Sequence, residues 1–215
     1  QDGRAVKLPR IVTRTISPGC VVEHCSGWLE SEGFSTPYLR DLWRTTLEDL
    51  DSHSRFIPQA KREMPVPRLE CLYGSEGTTY DYSGLTYHAK PLGISHARLM
   101  DRMRRRVHDG FNACFVNLYR TGADSISWHA DDEATLGPVP ESSVTIASIS
   151  LGETRRFKMK PRKGVQAAGV DFDLEHGDLL IMRGACQRDW LHSLPKTKRK
   201  VRSRMAFTFR QLLEK

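Results

Sequence analysis

His129 and Asp131 stand two residues apart in the segment Ser127-Trp128-His129-Ala130-Asp131-Asp132-Glu133. In an extended segment both side chains leave the same face. Such a pair plus one distant histidine can fill three positions on one side of an octahedral iron, leaving three open for cosubstrate and O2. His192, in Trp190-Leu191-His192, lies 61 residues beyond Asp131 and suits a ligand on a far strand of the same barrel. The pair alone is a cheap pattern. A second one, His176-Gly177-Asp178, has glycine at its centre and the apolar run Leu179-Leu180-Ile181-Met182 behind it, so it reads as a turn.

The C-terminal segment Arg204-Met-Ala-Phe-Thr-Phe-Arg210 alternates strictly. Arg204, Ala206, Thr208 and Arg210 share one strand face, and Met205, Phe207 and Phe209 take the other. Two inward arginines are costly unless they meet anions. A guanidinium fork grips a carboxylate through two parallel hydrogen bonds. Asn117 and Tyr119 also share a face and can donate to the same anion. Arg4/Arg10 and Arg98/Arg104 have the same spacing, so only the strand context sets Arg204 and Arg210 apart.

Strands must position these groups. Cys114, Val116 and Leu118 alternate with Phe115, Asn117 and Tyr119 between 111 and 120, and Ala147, Ile149 and Leu151 with Ser148 and Ser150. Further short runs sit at 156–159, 179–182 and 204–210. Two helices precede them. One is predicted at 37–50, capped by Ser35 or Thr36 and opened by Pro37, with Leu39, Leu42, Trp43, Leu47 and Leu50 at helical spacing. The other is predicted at 93–108, with Ile94, Ala97, Met100, Met103 and Val107 on one stripe and four arginines near its end. Residues 1–35 read as an irregular lead-in with short extended pieces. The fold class is mainly β with supporting α-helices, a β-sandwich or jelly roll backed by helices. A doubly wound sheet would need helices between the later strands.

Composition bounds the rest. The 215 residues carry Lys+Arg 33 against Asp+Glu 26, a net charge of +7, with 27% charged and 39% hydrophobic residues, the balance of a globular protein. Gly 16 and Pro 11 are average, which excludes collagen-like and low-complexity chains. No apolar run approaches the roughly 18 residues of a membrane helix. The chain opens at Gln1, so it reads as trimmed. Cys20, Cys25, Cys71, Cys114 and Cys186 are too scattered for a disulfide scaffold or a zinc site and suggest a reducing compartment, nucleus or cytoplasm. Lys196–Arg204 holds six cations in nine residues, and Arg102–Arg106 and Lys158–Lys163 are lesser clusters.

Taken in order, Pro67-Arg68-Leu69, Tyr73-Gly74, Thr79-Tyr80-Asp81-Tyr82-Ser83-Gly84, Asn117-x-Tyr119, Trp128-His129-Ala-Asp131-Asp132-Glu133, Leu136-Gly137, His176-Gly-Asp, Trp190-Leu-His192 and Arg204-x5-Arg210 resemble the AlkB-type Fe(II)/2-oxoglutarate-dependent nucleic-acid dealkylases, most of all the eukaryotic homologue 3 type. The resemblance covers about residues 67–210. It implies a double-stranded β-helix in which His129, Asp131 and His192 bind Fe(II). It also implies that Arg204 pairs with the distal carboxylate of 2-oxoglutarate, and Arg210 with the one beside the keto group, assisted by Asn117 and Tyr119. The implied reaction consumes O2 and 2-oxoglutarate, releases succinate and CO2, and removes an N-methyl group as formaldehyde.

A base inside a duplex cannot reach a buried metal, so the target is single-stranded or flipped. Tyr80 and Tyr82 share a face, and aromatic faces stack extruded bases. The resemblance puts Tyr82 opposite the His129 ring, Tyr80 in the same pocket, Glu133 on an exocyclic amine of 1-methyladenine or 3-methylcytosine, and Asp132 in the grip of Arg68. Trp128 points away from the ligand face and reads as core. Arg55–Met64 is charged and lacks a clear apolar wedge, which favours single strands. We expect one domain over 1–215, with 1–66 as an extension and 67–215 as the catalytic core, acting as a monomer on DNA or RNA with no membrane. Two other readings stay open: a 2-oxoglutarate-dependent protein hydroxylase or demethylase, and a non-catalytic nucleic-acid-binding domain with a structural metal.

Overall fold

Strands, several of them with period-two alternation, are the dominant elements of this chain. The computed structural model describes residues 9–57, 61–136 and 144–213, so Gly137 and residues 58–60 of the Arg55–Met64 segment lie outside the described residues. Strands β1 (Arg10–Ser17) and β2 (Cys20–Ser26) form a hairpin, followed by a one-turn α1 (Trp28–Ser31) and by α2 (Thr36–Asp49). Next come β3 (Asp51–Ile57), the long β4 (Arg62–Gly74), the small pair β5 (Thr79–Tyr82) and β6 (Leu85–His88), and α3 (Ile94–Arg106). The second half runs β7 (Ala113–Tyr119), β8 (Ile126–His129), β9 (Ile146–Gly152), β10 (Arg155–Pro161), β11 (Val170–Leu174) and β12 (Leu179–Gly184). A one-turn α4 (Cys186–Asp189) leads to β13 (Trp190–Leu194), and β14 (Arg204–Arg210) follows.

Eight strands make the major sheet, in the order β1-β2-β12-β9-β14-β7-β4-β3, and four make the minor sheet, β11-β10-β13-β8. Pairing within both is antiparallel. The outer face of the major sheet packs Met205, Phe207, Phe209, Val116 and Ile149 against Leu42 of α2 and Leu99, Met100 and Met103 of α3. Its inner face meets the minor sheet through Ile146, Leu180 and Met182 on one side and Phe157, Met159, Phe172 and Trp190 on the other. Two sheets face to face, with helices behind the larger, form the expected jelly roll.

Both predicted helices form, with local corrections. Ser35 accepts from the Tyr38 N–H at 3.5 Å to cap α2, yet Leu47 of its predicted stripe is 45% exposed. On α3 the buried face is His96, Leu99, Met100 and Met103, whereas Ile94 is 92% exposed. Its phase is set by His96, which stacks on Tyr73 at 4.0 Å and hydrogen-bonds Thr46 at 2.9 Å. The lead-in is also more regular than its composition suggests. The β1–β2 hairpin, sparse in apolar residues on β1, occupies one edge of the major sheet.

The cysteine reading needs one correction. Cys20 and Cys186 are joined by a disulfide, while Cys25, Cys71 and Cys114 are buried free thiols. Sequence distance hides the contact: Gly184 pairs with Cys20 across the β2–β12 ladder. Gly184 has φ +67°, and a Cβ there would collide with the Gly19 carbonyl, so glycine lets β12 close onto the β1–β2 turn. Among the described residues no helix is long and apolar enough to cross a membrane.

Candidate active site

The cavity between the sheets is lined by both predicted groups of residues, the His/Asp/His set and the two strand arginines. His129 and His192 are direct cross-strand partners of β8 and β13, with ring centroids 4.1 Å apart. Asp131 follows β8 by two residues, and the ligand atoms of His129, Asp131 and His192 all lie within 4.8 Å of one another. His129 Nδ1 donates to the Ser127 carbonyl at 2.8 Å, which leaves Nε2 as a lone-pair donor. Burial holds both imidazoles below their usual range, His192 down to about 3, so both are neutral. Burial works to raise the Asp131 carboxyl, but the Arg210 guanidinium, by charge and by hydrogen bond, holds it below the ordinary value. Asp131 Oδ1 is buried without a hydrogen-bond partner among the described residues. Two neutral imidazoles and an ionised, unsatisfied carboxylate fit Fe(II), which accepts a 2-His-1-carboxylate face.

Strand β14 brings the arginines in. Arg204 and Arg210 are 2% and 5% exposed, on the inner face that they share with Asn117 and Tyr119 across the β14–β7 register. Arg204 donates to Ser150 Oγ at 2.8 Å and lies 5.6 Å from the Tyr119 ring centroid. Burial lowers its pKa to about 10, with Arg155 adding repulsion. Arg210 donates to Asp131 Oδ2 at 2.9 Å. Burial alone would lower its pKa, but Asp131 and its neighbours raise it. The Nε atoms of both arginines are buried without a partner among the described residues. Two cations with unused donors, separated along one strand, fit a small dicarboxylate such as 2-oxoglutarate.

The aromatic residues form a second wall. Tyr80 and Tyr82 stack at 5.8 Å and 9°, and Tyr82 meets the His129 ring edge-on at 6.1 Å. Tyr80 donates its hydroxyl to Glu133 Oε2 at 2.8 Å. Burial, then repulsion from Asp131, raises the Glu133 carboxyl.

The expected link between Arg68 and Asp132 is absent. Arg68 pairs with Glu70 at 2.6 Å and donates to Asn117 Oδ1 at 2.8 Å and to the Ser125 carbonyl at 3.1 Å. Glu70, two residues along β4, is fully buried and is the nearer demand for a cation; exposed Asp132 pairs with Arg162 instead. Trp128 is also corrected. It is 41% exposed on β8, the last strand of its sheet, where the Lys160 ammonium lies 4.5 Å from its ring centroid. Likewise Phe56 is 62% and Met64 38% exposed on the β3–β4 hairpin, so the Arg55–Met64 segment does present apolar groups to solvent. His176 and Asp178 do form a turn: Asp178 accepts from His24 at 2.8 Å and from the Gly27 and Glu175 N–H groups, and His176 accepts from Gly152 N–H.

Sequence reasoning missed three supports. Ser150, which holds Arg204, was visible as a polar residue alternating within apolar β9. Gln187 is 1% exposed and accepts from the Asp131 N–H at 3.0 Å, yet no spacing marks it on a one-turn helix. Arg55 lies 4.8 Å from the Tyr82 ring centroid and donates to the Tyr87 hydroxyl at 3.0 Å, hidden within a charged segment.

Comparison with known proteins agrees with this geometry. The sequence profile of the 2OG-Fe(II) oxygenase superfamily matches residues 24–210. Mouse alpha-ketoglutarate-dependent dioxygenase alkB homolog 3 is 38% identical over 154 residues, 68% of this chain and 52% of that protein. Mouse DNA oxidative demethylase ALKBH2 is 38% identical over 156 residues, 69% and 63% respectively. The Arabidopsis thaliana protein of the latter name is 38% identical over 205 residues, 79% of this chain and 62% of that one. The chain thus spans between half and two thirds of the curated relatives it matches. A solved structure of OsALKBH1 covers 93% of this chain with a TM-score of 0.54 at 19% identity, a likeness of fold. With the His/Asp/His cluster, the paired arginines and a profile match over most of its length, the chain belongs to the AlkB branch of the 2OG-Fe(II) oxygenase superfamily.

Proposed function

We propose that this protein oxidatively demethylates N-methylated nucleobases, 1-methyladenine and 3-methylcytosine, in single-stranded DNA or RNA. The observation that carries the reading is the aromatic slot beside the metal ligands: Tyr80 and Tyr82 stack on each other and Tyr82 meets the His129 ring edge-on at 6.1 Å, so a flat base docked against Tyr82 lies next to those ligands. His129, Asp131 and His192 hold Fe(II); Arg204 and Arg210 hold the two carboxylates of 2-oxoglutarate. Asn117 gives its amide oxygen to Arg68, which leaves the amide nitrogen as donor to the cosubstrate. Burial raises the Tyr119 pKa, so its hydroxyl stays protonated and able to donate. When bound, iron and cosubstrate supply the oxidising power that hydroxylates the N-methyl group with O2, after which the carbon leaves as formaldehyde. The chain's own task is to exclude water and fix the base. Tyr82 stacks on it, Tyr80 lines the slot and steadies Glu133, and Glu133 accepts from the exocyclic amine. Arg68 and Glu70 support Asn117 from behind, and Asp132 holds Arg162 at the rim.

We further propose that residues 1–215 work as one domain, because β1–β3 complete the same major sheet that carries β14, and that the protein acts as a monomer. Its proposed place is the nucleus or cytoplasm, in keeping with the three free thiols Cys25, Cys71 and Cys114. The test is direct. Iron-loaded protein with 2-oxoglutarate is mixed with methylated DNA and RNA oligonucleotides, single- and double-stranded. Loss of methyl mass with formaldehyde release is expected, fastest on single strands, and none is expected from His129→Ala. No loss from any oligonucleotide would sink the substrate assignment.

A further inference from the structure

Strand β8 separates two surfaces with one peptide step. His129 faces the cavity, and Trp128, the preceding residue, faces outward. β8 is the outermost strand of the minor sheet, and Trp128 is 41% exposed there, whereas Trp28 and Trp190 are buried. Lys160 of β10 holds its ammonium 4.5 Å from the Trp128 ring centroid. Farther along the same outer face, Arg156 and Lys158 are partnered by Asp173 and Asp171 of β11. Beyond them the 195–201 segment and the sheet enclose a groove of about 370 Å3, to which Arg156, Lys158, Lys196 and Arg199 contribute. In the segment itself Lys196, Lys198, Arg199, Lys200 and Arg202 are exposed, and no described carboxylate lies within 4.0 Å of their charged groups. Asp173 and Glu175 also line the groove, and Asp173 feels the Arg199 charge, but cations outnumber carboxylates there. An aromatic face followed by a line of cations is the pattern that single strands of nucleic acid use, with bases stacking and phosphates tracking the charge.

We propose that the outer face of the minor sheet is the docking surface for the nucleic-acid strand beside the target nucleotide. A neighbouring base stacks on Trp128, Lys160 turns from the ring to a phosphate, and the backbone continues toward the groove beneath Lys196 and Arg199. A strand crossing the β8 edge thereby sets one base on each face: the target against His129, its neighbour on Trp128. The inference rests on the proposed substrate class, and it predicts faster turnover of single strands, since a paired neighbour could not leave its stack for Trp128.

The experiment uses the whole iron-loaded protein and three surface changes: Trp128→Ala, Trp128→Phe and the double variant Lys196→Glu/Arg199→Glu. Binding of a fluorescein-labelled single-stranded 15-mer of thymidine is followed by anisotropy at several salt concentrations, and KM and kcat are measured on a methylated single strand. Trp128→Ala should weaken binding about tenfold, through KM, with kcat held. Trp128→Phe should restore most of the loss, which mere repair of sheet packing by phenylalanine would do for stability and not for KM. The double variant should bind more weakly and lose about two from the slope of log affinity against log salt. Consumption of 2-oxoglutarate without nucleic acid should match wild type in every variant. If wild type demethylates the strand and all three variants bind and turn over like it, this surface is wrong and the functional reading stands. If wild type neither binds nor demethylates any strand, both fall together.

Discussion

Asp131 is the residue on which the site converges, and its backbone is held as firmly as its side chain. Its N–H donates to Gln187 Oε1, and Arg162 reaches both Asp132 and the Gln187 carbonyl. Groups that orient a metal ligand typically change metal affinity by about 10- to 100-fold when lost. Gln187→Leu, which leaves a buried N–H without an acceptor, should therefore weaken Co(II) binding by about that factor, read from the visible absorption of the bound ion. Gln187→Glu keeps the acceptor and should bind nearly as wild type. A purely structural role would lower the melting temperature of Gln187→Leu and leave the titration unchanged. This residue also marks a limit of the sequence. His129, Asp131 and His192 were legible because metal-ligating residue types are few and strand spacing orders them. Gln187 was not, since any polar residue in a turn looks like solvent-facing surface until the fold buries it.

At the scale of elements, strands with strict alternation were legible and their partners were not. β7, β9 and β14 announce themselves by period two and β12 by its continuous apolar run, but β1, with its exposed polar residues, earns its place only by pairing with β2. Arg68 was misplaced for the same reason, because register on β4, not motif order, decides that Glu70 is its partner. The His176–Asp178 turn is the element-scale counterpart that its central glycine and the apolar run behind it did reveal, and it is an anchor. Asp178 is 3% exposed and ties the start of β12 to the end of β2. Burial opposes ionisation there, but hydrogen bonds from His24, Glu175 and Gly27 win and hold its pKa below the ordinary value. A depressed folded pKa gives stability that is present above the unfolded value, about 3.9, and lost as pH falls through the folded one. Asp178→Asn should thus cost about 1–3 kcal/mol in urea unfolding at pH 7. The gap to wild type should narrow below pH 4; an equal gap at pH 7 and pH 3 would show that the carboxylate charge is not the anchor.

Over the whole molecule, the jelly roll buries Arg204 between its sheets with no carboxylate paired to it among the described residues, and this makes the fold less stable than its core allows. Arg204 illustrates the conflict. It is 2% exposed, its charge is disfavoured by burial and by Arg155, and its Nε lacks a partner among the described residues. A buried cation without a matching anion is costly, and replacing one with an apolar side chain often stabilises a fold. The same cation becomes an asset when a carboxylate arrives. Ligand at 100 times its dissociation constant adds about 2.7 kcal/mol, which for a chain of this size raises the melting temperature by about 5–10 °C. Wild-type protein with Mn(II) should therefore gain several degrees on addition of 2-oxoglutarate, and a similar gain with acetate would refute recognition of a dicarboxylate. Arg204→Met should melt higher than wild type without ligand and gain almost nothing from 2-oxoglutarate. A variant that melted lower in both states would show instead that Arg204 holds the sheet together through Ser150, and that its buried charge is no burden on the fold.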